Sequence, residues 1–136
     1  MQIQIREIDH VVIRAADLAT MTRFYCDVLG CRVEREEKKL GLVQLRAGRS
    51  LVDLAAVGGP LDRDGGTAPS SVAGNMDHLC LRVEPFDGEA LKTWLTQRGA
   101  RPGEVVERNG AEGIGPSLYL FDPEGNMVEL KGPPVR

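Results

Sequence analysis

Ile8-Asp9-His10-Val11-Val12-Ile13-Arg14 is answered further along the chain by Met76-Asp77-His78-Leu79-Cys80-Leu81-Arg82, the same pattern written a second time. Each stretch is a short aliphatic run that reads as a β-strand, in which successive side chains point to opposite faces. His10 then shares a face with Val12 and Arg14, and His78 with Cys80, while Asp9, Val11 and Ile13 point the other way. Periodicity alone does not preserve polar side chains. A repeated Asp-His therefore marks a duplicated unit.

Working outward, each copy is followed by a helix and three strands. In the first, Asp17 is the expected N-cap of a helix running to about Leu29, and Gly30 is its stop. Leu18, Met21, Phe24, Tyr25, Val28 and Leu29 recur there at helical spacing, so one face packs on a sheet. Strands are expected over 31–38, 42–47 and 50–57. In the second copy a helix over 88–98, stopped by Gly99, precedes strands over 104–108, 117–121 and 126–131. The last strands also repeat, Leu51-Val52-Asp53-Leu54 matching Met127-Val128-Glu129-Leu130. The second copy is longer between its helix and last strand. The extra residues fall most simply in the Gly-rich 109–116 segment, a candidate lid. Between the copies, 58–75 turns abruptly to Gly, Pro, Ser and Asp and reads as a linker or mobile loop. The expectation is one α+β domain over 1–136, with a first βαβββ module at about 5–57, the linker at 58–75 and a second module at 76–132.

Length and composition agree with a single packed domain: 136 residues, 42% apolar and 27% charged. No apolar run approaches the roughly 18 residues a membrane span needs. The first residues lack the basic-then-apolar pattern of a secretory leader, so a cytoplasmic location is expected. Seventeen Lys and Arg against twenty Asp and Glu give a net charge of −3 without a basic block. With three Phe, two Tyr and one Trp there is little to stack on bases, so neither nucleic acid nor a membrane surface is an expected partner. Three cysteines, Cys26, Cys31 and Cys80, lack zinc-ribbon spacing and suit reduced thiols better than a disulfide framework.

The repeated polar residues point to metal chemistry. Strand parity puts Asp53 on a face with Leu51 and Ala55, and Glu129 with Met127 and Lys131. If the modules pack about a pseudo-two-fold axis, His10, Asp53, His78 and Glu129 converge in one pocket. Two imidazoles and two carboxylates form a mixed nitrogen and oxygen set suited to Ni, Zn, Mn, Fe or Co, and the two anions would cancel a divalent charge. A lone strand His is usually a hydrogen-bonded core or surface residue, and a lone Glu is usually solvated. A matched pair of each in equivalent places is harder to dismiss. Asp53, one methylene shorter than Glu129, has the shorter reach. Cys80 reads as a small buried apolar thiol rather than a nucleophile, and Trp94 and Leu91 as the packing face of the second helix. The charged 34–39 run reads as an exposed edge strand and turn. Lys131 and Arg82 read either as solvated strand ends or as attraction for an anionic substrate.

At Asp9-His10, at Phe24-Tyr25-Cys26-Asp27-Val28-Leu29-Gly30 and at Phe121-Asp122-Pro123-Glu124-Gly125-Asn126-Met127-Val128-Glu129-Leu130, the chain resembles the vicinal oxygen chelate superfamily. That superfamily includes glyoxalase I, fosfomycin-resistance proteins, extradiol dioxygenases, methylmalonyl-CoA epimerase and bleomycin-resistance proteins. The resemblance covers essentially the whole chain and implies paired βαβββ modules forming a cleft-bearing, partly open, barrel-like sheet with helices outside. It implies His10, His78 and Glu129 as metal ligands and sets Asp53 where glyoxalase I has its other Glu. Arg14 looks like the arginine that contacts glutathione in glyoxalase I. A homodimer is implied, with the site formed within one chain or across two.

The chemistry so implied is bidentate chelation of a small substrate through two oxygens, with glyoxalase-type lyase or isomerase proton transfer through an enediolate as the leading expectation. Glu129 is the expected base, with Asp53 as ligand or second base and glutathione or another thiol as a possible cosubstrate. An extradiol dioxygenase would need only His10, His78 and Glu129 on Fe(II), although no third His is present to act as acid or base. A fosfomycin-type thiol transferase is compatible with the same three ligands, with Ser117 and Tyr119 lining its pocket. Val12 stands where glutathione-dependent members carry a threonine. A metal-free binding or resistance protein is the alternative from another class. Keeping all the ligand positions argues against it.

Overall fold

In each half of the chain an apolar last strand, Ser50–Ala56 or Met127–Lys131, lies between the first strand and the third. The computed structural model describes residues 1–62, 66 and 75–136. The elements run β1 (His10–Ala15), α1 (Leu18–Arg23), β2 (Arg32–Glu37), β3 (Leu42–Ala47), β4 (Ser50–Ala56), β5 (His78–Arg82), α2 (Gly88–Gln97), β6 (Val106–Gly110), β7 (Gly113–Phe121) and β8 (Met127–Lys131). They form two compact units that divide within 67–74. One holds a mixed sheet of order β1-β4-β3-β2 and the other a mixed sheet of order β5-β8-β7-β6. Each unit is thus βαβββ, α+β in class, and neither sheet closes into a barrel. Most of the expected 58–75 linker lies outside the described residues.

The parallel pairs β1·β4 and β5·β8 share one register. Val12 stands opposite Asp53 and Cys80 opposite Glu129, so each His precedes by two residues the partner of the carboxylate. One face of the first sheet is the core: Ile13, Val43, Leu45, Val52 and Leu54 are buried there, with α1 against β3 and β4. Leu118, Leu120, Val128 and Leu130 are their buried counterparts, and Leu95 of α2 is buried as well. Each such side chain contributes roughly 1.5–3 kcal/mol through burial. His and carboxylate occupy the opposite face of both sheets, as parity predicts.

The helices start where their caps predict. Asp17 accepts the Thr20 amide at 3.0 Å and its hydroxyl at 2.8 Å, and Asp87 accepts the Ala90 amide at 3.1 Å. The single helix expected to Leu29 instead changes at Phe24 into a π-helical turn, Phe24–Val28. The wider turn lets adjacent Phe24 and Tyr25 both enter the core, edge to face at 5.4 Å. Trp94 also departs from expectation: it is 45% exposed, with the Arg98 guanidinium over its ring, so α2 buries Leu95 instead.

The expected lid at 109–116 is a tighter object than a loop. Strands β6 and β7 continue past the pair Val106 and Ser117 to Gly110 and Gly113, making an extended hairpin with Ala111 and Glu112 at its tip. The chain end lies along it, the Gly132 amide donating to the Pro116 carbonyl and the Ile114 amide to the Arg136 carbonyl. The glycines of this segment serve close packing rather than a loose loop; Gly115 faces backbone so closely that a Cβ there would meet the Pro133 carbonyl at 2.5 Å.

Candidate functional site

In the first module Asp53 is 4% exposed yet only half satisfied. Gln44, opposite it on β3, donates from Nε2 to Oδ2 at 3.1 Å, while Oδ1 is buried with no hydrogen-bond partner among the described residues. His10 lies on the same sheet face. Its Nδ1 meets Asp9 Oδ1 at 2.7 Å, and that hydrogen bond raises its pKa above the usual imidazole value. Partial desolvation opposes the rise, and the charges of Asp53 and Asp9 add to it.

The second module repeats the arrangement with a longer carboxylate. His78 Nδ1 meets Asp77 Oδ2 at 2.7 Å, and its Nε2 lies 3.0 Å from Oε1 of Glu129, which is 5% exposed. Tyr119, opposite Glu129 on β7, stands edge-on to the His78 ring at 5.4 Å and carries Arg108 over its ring. Cys80 is an exposed residue rather than a buried one, but desolvation of its thiol, then the charge of Glu129, push its pKa up to about 11. It is a neutral thiol at neutral pH, not a ready nucleophile.

The motif from Phe121 to Glu129 has a structural explanation. Asp122, 5% exposed, accepts the amides of Glu124 and Asn126 at 2.9 and 3.0 Å and the Asn126 side-chain amide at 2.8 Å. Gly125 closes the turn at a φ of +85°. Asp122 fixes the β7–β8 turn, and the turn sets the register that delivers Glu129.

The expected substrate residues fare differently. Arg14 donates from Nε and Nη2 to the two oxygens of Asp62 at 2.9 and 3.0 Å. Asp62, whose side chain is 1% exposed, also accepts the Gly58 and Gly66 amides at 2.7 and 3.0 Å. Arg14 therefore ties the start of the linker to β1 and would reach a ligand only by sharing with Asp62. Ser117 is fully buried, its hydroxyl donating to the Val106 carbonyl at 3.3 Å. Sequence reasoning gave no role to Gln44, Asp77 or Arg108. Cross-strand partnership with Asp53 and Glu129, and the repeated Asp before each His, were the signals for the first two.

A cavity of about 320 Å³ opens on the second sheet, lined by His78, Cys80, Arg82, Glu129, Lys131 and the hairpin tip at 109–113, among others. Among the described residues no three His, Cys, Asp or Glu side chains gather as a ready ligand set; each module supplies one His and one carboxylate. Those pairs fit a metal ion. Each imidazole is oriented through Nδ1 by a carboxylate, the arrangement that leaves Nε2 free to ligate. Asp53 keeps a buried oxygen in need of a partner. His78 Nε2 and Glu129 Oε1, 3.0 Å apart, are close enough that both would reach one ion.

Residues 7–130 match the family described as Glyoxalase/Bleomycin resistance protein/Dioxygenase superfamily. Virulence protein STM3117 of Salmonella typhimurium is 29% identical over 96% of this chain and 86% of its own, and its crystal structure is similar with a TM-score of 0.78. Biphenyl-2,3-diol 1,2-dioxygenase 3 of Rhodococcus globerulus is 31% identical over 90% of this chain, which spans 60% of that enzyme's length. A probable lactoylglutathione lyase of Synechocystis is 27% identical over 89% of this chain and 91% of its own. No helix among the described residues is long and apolar enough to cross a membrane. With the duplicated βαβββ units, the chain belongs to the glyoxalase/bleomycin resistance protein/dioxygenase superfamily.

Proposed function

We propose that the protein is a divalent-metal-dependent enzyme acting on a small substrate through two oxygens, by proton transfer of the glyoxalase type. The observation that carries this is the buried, unpartnered Oδ1 of Asp53, at the position of its own sheet that the buried Glu129 holds in the second module's. A buried carboxylate oxygen left without a donor costs free energy in a protein with no use for it. His10, His78, Glu129 and Asp53 would hold the ion as one set, within one chain or across a homodimer. Such an ion would supply Lewis acidity toward two substrate oxygens and offset negative charge as it develops there.

The chain's own residues do the rest. Asp9 and Asp77 fix the imidazoles by their Nδ1 contacts, and Tyr119 backs the His78 ring. Glu129 takes a proton from the carbon beside the substrate carbonyl and returns it to the adjacent carbon, its carboxylate shielded from water on the sheet. Asp53, braced by Gln44, serves as ligand or second base. Glutathione or another thiol is the proposed cosubstrate where the substrate is a hemithioacetal. The dioxygenase relative favours a second reading, Fe(II)-dependent catechol cleavage. The chain's two histidines, both spent as ligands, leave none for acid–base work in that reaction.

Elemental analysis after anaerobic reconstitution with Ni, Zn, Mn, Fe(II) or Co decides the matter. One retained ion per site, lost in His10→Ala and Glu129→Gln, is the expected result. No retained ion under any condition overturns the enzyme reading in favour of a metal-free binding protein.

A further inference from the structure

The cavity is lined by charged groups that proton transfer does not use, Lys131 and Arg82 among them. Lys131 lies on the same face of β8 as Glu129 and is 6% exposed. Its ammonium donates to the carbonyls of Arg108 and Gly115, the latter at 3.1 Å. No carboxylate among the described residues pairs with it. An ammonium has three N–H donors, so one remains after those two bonds. The hairpin is built around this side chain: a Cβ on Gly110 would meet Lys131 Cε at 2.3 Å. Opposite Lys131 across the β5–β8 ladder is Arg82, whose Nε is held by Glu112 at the hairpin tip at 2.6 Å, with Glu84 at 3.2 Å from Nη2. Burying an ammonium on backbone carbonyls alone is costly, and a built cradle around it needs a reason.

We propose that Lys131 and Arg82 form an anion subsite for a carboxylate or phosphate on the substrate, and that Glu112 occupies Arg82 until that anion replaces it. The pair stands two residues beyond Cys80 and Glu129 in the same ladder, about 6–7 Å along the strands. A short substrate gripped beside Glu129 would carry its anionic end there. Which end of the substrate docks here rests on the chelation reading; the subsite itself does not require a metal. Among the described residues the equivalent place in the first module differs, since Ala55 stands opposite Arg14 and Arg14 is locked to the buried Asp62. The substrate is therefore expected to be anionic at one end and to bind in one orientation.

The test is an NMR titration of the metal-free full chain with inorganic phosphate and, in parallel, acetate, at fixed ionic strength. Expected are a millimolar dissociation constant and shifts centred on Gly110, Glu112 and Lys131. Lys131→Met should weaken binding at least tenfold, and Glu112→Gln, at an exposed turn and free of folding risk, should tighten it severalfold. The tighter of the two anions names the substrate's group. Absence of shifts at this pocket with either anion, unchanged affinity in a folded Lys131→Met, or no gain in Glu112→Gln would each overturn the subsite. Failure here with an ion retained in the metal analysis leaves chelation standing; anion binding with no retained ion does the reverse.

Discussion

Asp53 in the first module and Glu129 in the second hold equivalent places in two separate ladders, and almost everything around them differs. Asp53 has Gln44 across β3 and Val12 across β1; Glu129 has Tyr119 across β7 and Cys80 across β5. One step further, Ala55 and Arg14 face each other in the first sheet, Lys131 and Arg82 in the second. Both modules keep an Asp-His strand beside a carboxylate strand, the arrangement proposed above to hold a metal ion. The residues across from the carboxylates are not shared. The first module reads as a ligand donor, its Arg14 spent on the linker, while the second carries the longer carboxylate, the aromatic support, the cavity and the overhanging hairpin.

The largest expected effect tests that division directly. Glu129→Gln should lower kcat by about 10²–10⁴-fold even when metal is restored, as removal of a general base does. Asp53→Asn should weaken metal retention yet recover most of kcat in excess metal. Steady-state kinetics across a metal titration checks both. The reverse outcome, with Asp53 controlling kcat, would move the base to the first module.

The two β-turns leading into the carboxylate strands sharpen the comparison at the level of stability. Before β8, Asp122 gathers three donors in a buried setting, so Asp122→Ala should cost about 3 kcal/mol and also displace Glu129. Before β4 the turn rests on Gly48, at a φ of +63° and with open space where a Cβ would stand. Gly48→Ala should cost only about 1–2 kcal/mol, the left-handed backbone penalty. Urea midpoints of the two variants measure the difference, and equal losses would refute the claim that the second turn is specially built.

Much of this was legible from strand parity and duplication. The βαβββ order, both caps and the shared face of each His and carboxylate follow from period-two alternation, because a strand offers its side chains only two directions. The hairpin at 109–116 was hidden because Gly suggests a loop, whereas here Gly110 and Gly115 make room for Lys131 and the chain end. The Arg14 and Asp62 pair was hidden because it joins a strand to a linker without periodicity. Lys131 was ambiguous because a strand-end lysine is usually solvated; only its carbonyl partners show otherwise.

The smallest effect concerns the helix start that the first module owes to Asp17. The Thr20 backbone amide, then its hydroxyl, hold the Asp17 carboxyl below its ordinary value of 3.8. A carboxyl whose folded pKa is depressed stabilises the fold fully above its unfolded pKa, and that stability is lost as pH falls through the folded value. Asp17→Ala should therefore lower the urea midpoint modestly at neutral pH, and the gap to wild type should close as the pH drops below 3.8. A gap constant across that range would mean that the cap acts through shape rather than charge. The residue opening the first module's helix would then be as replaceable by a neutral cap as its Asp53 is expected to be, for kcat, by Asn.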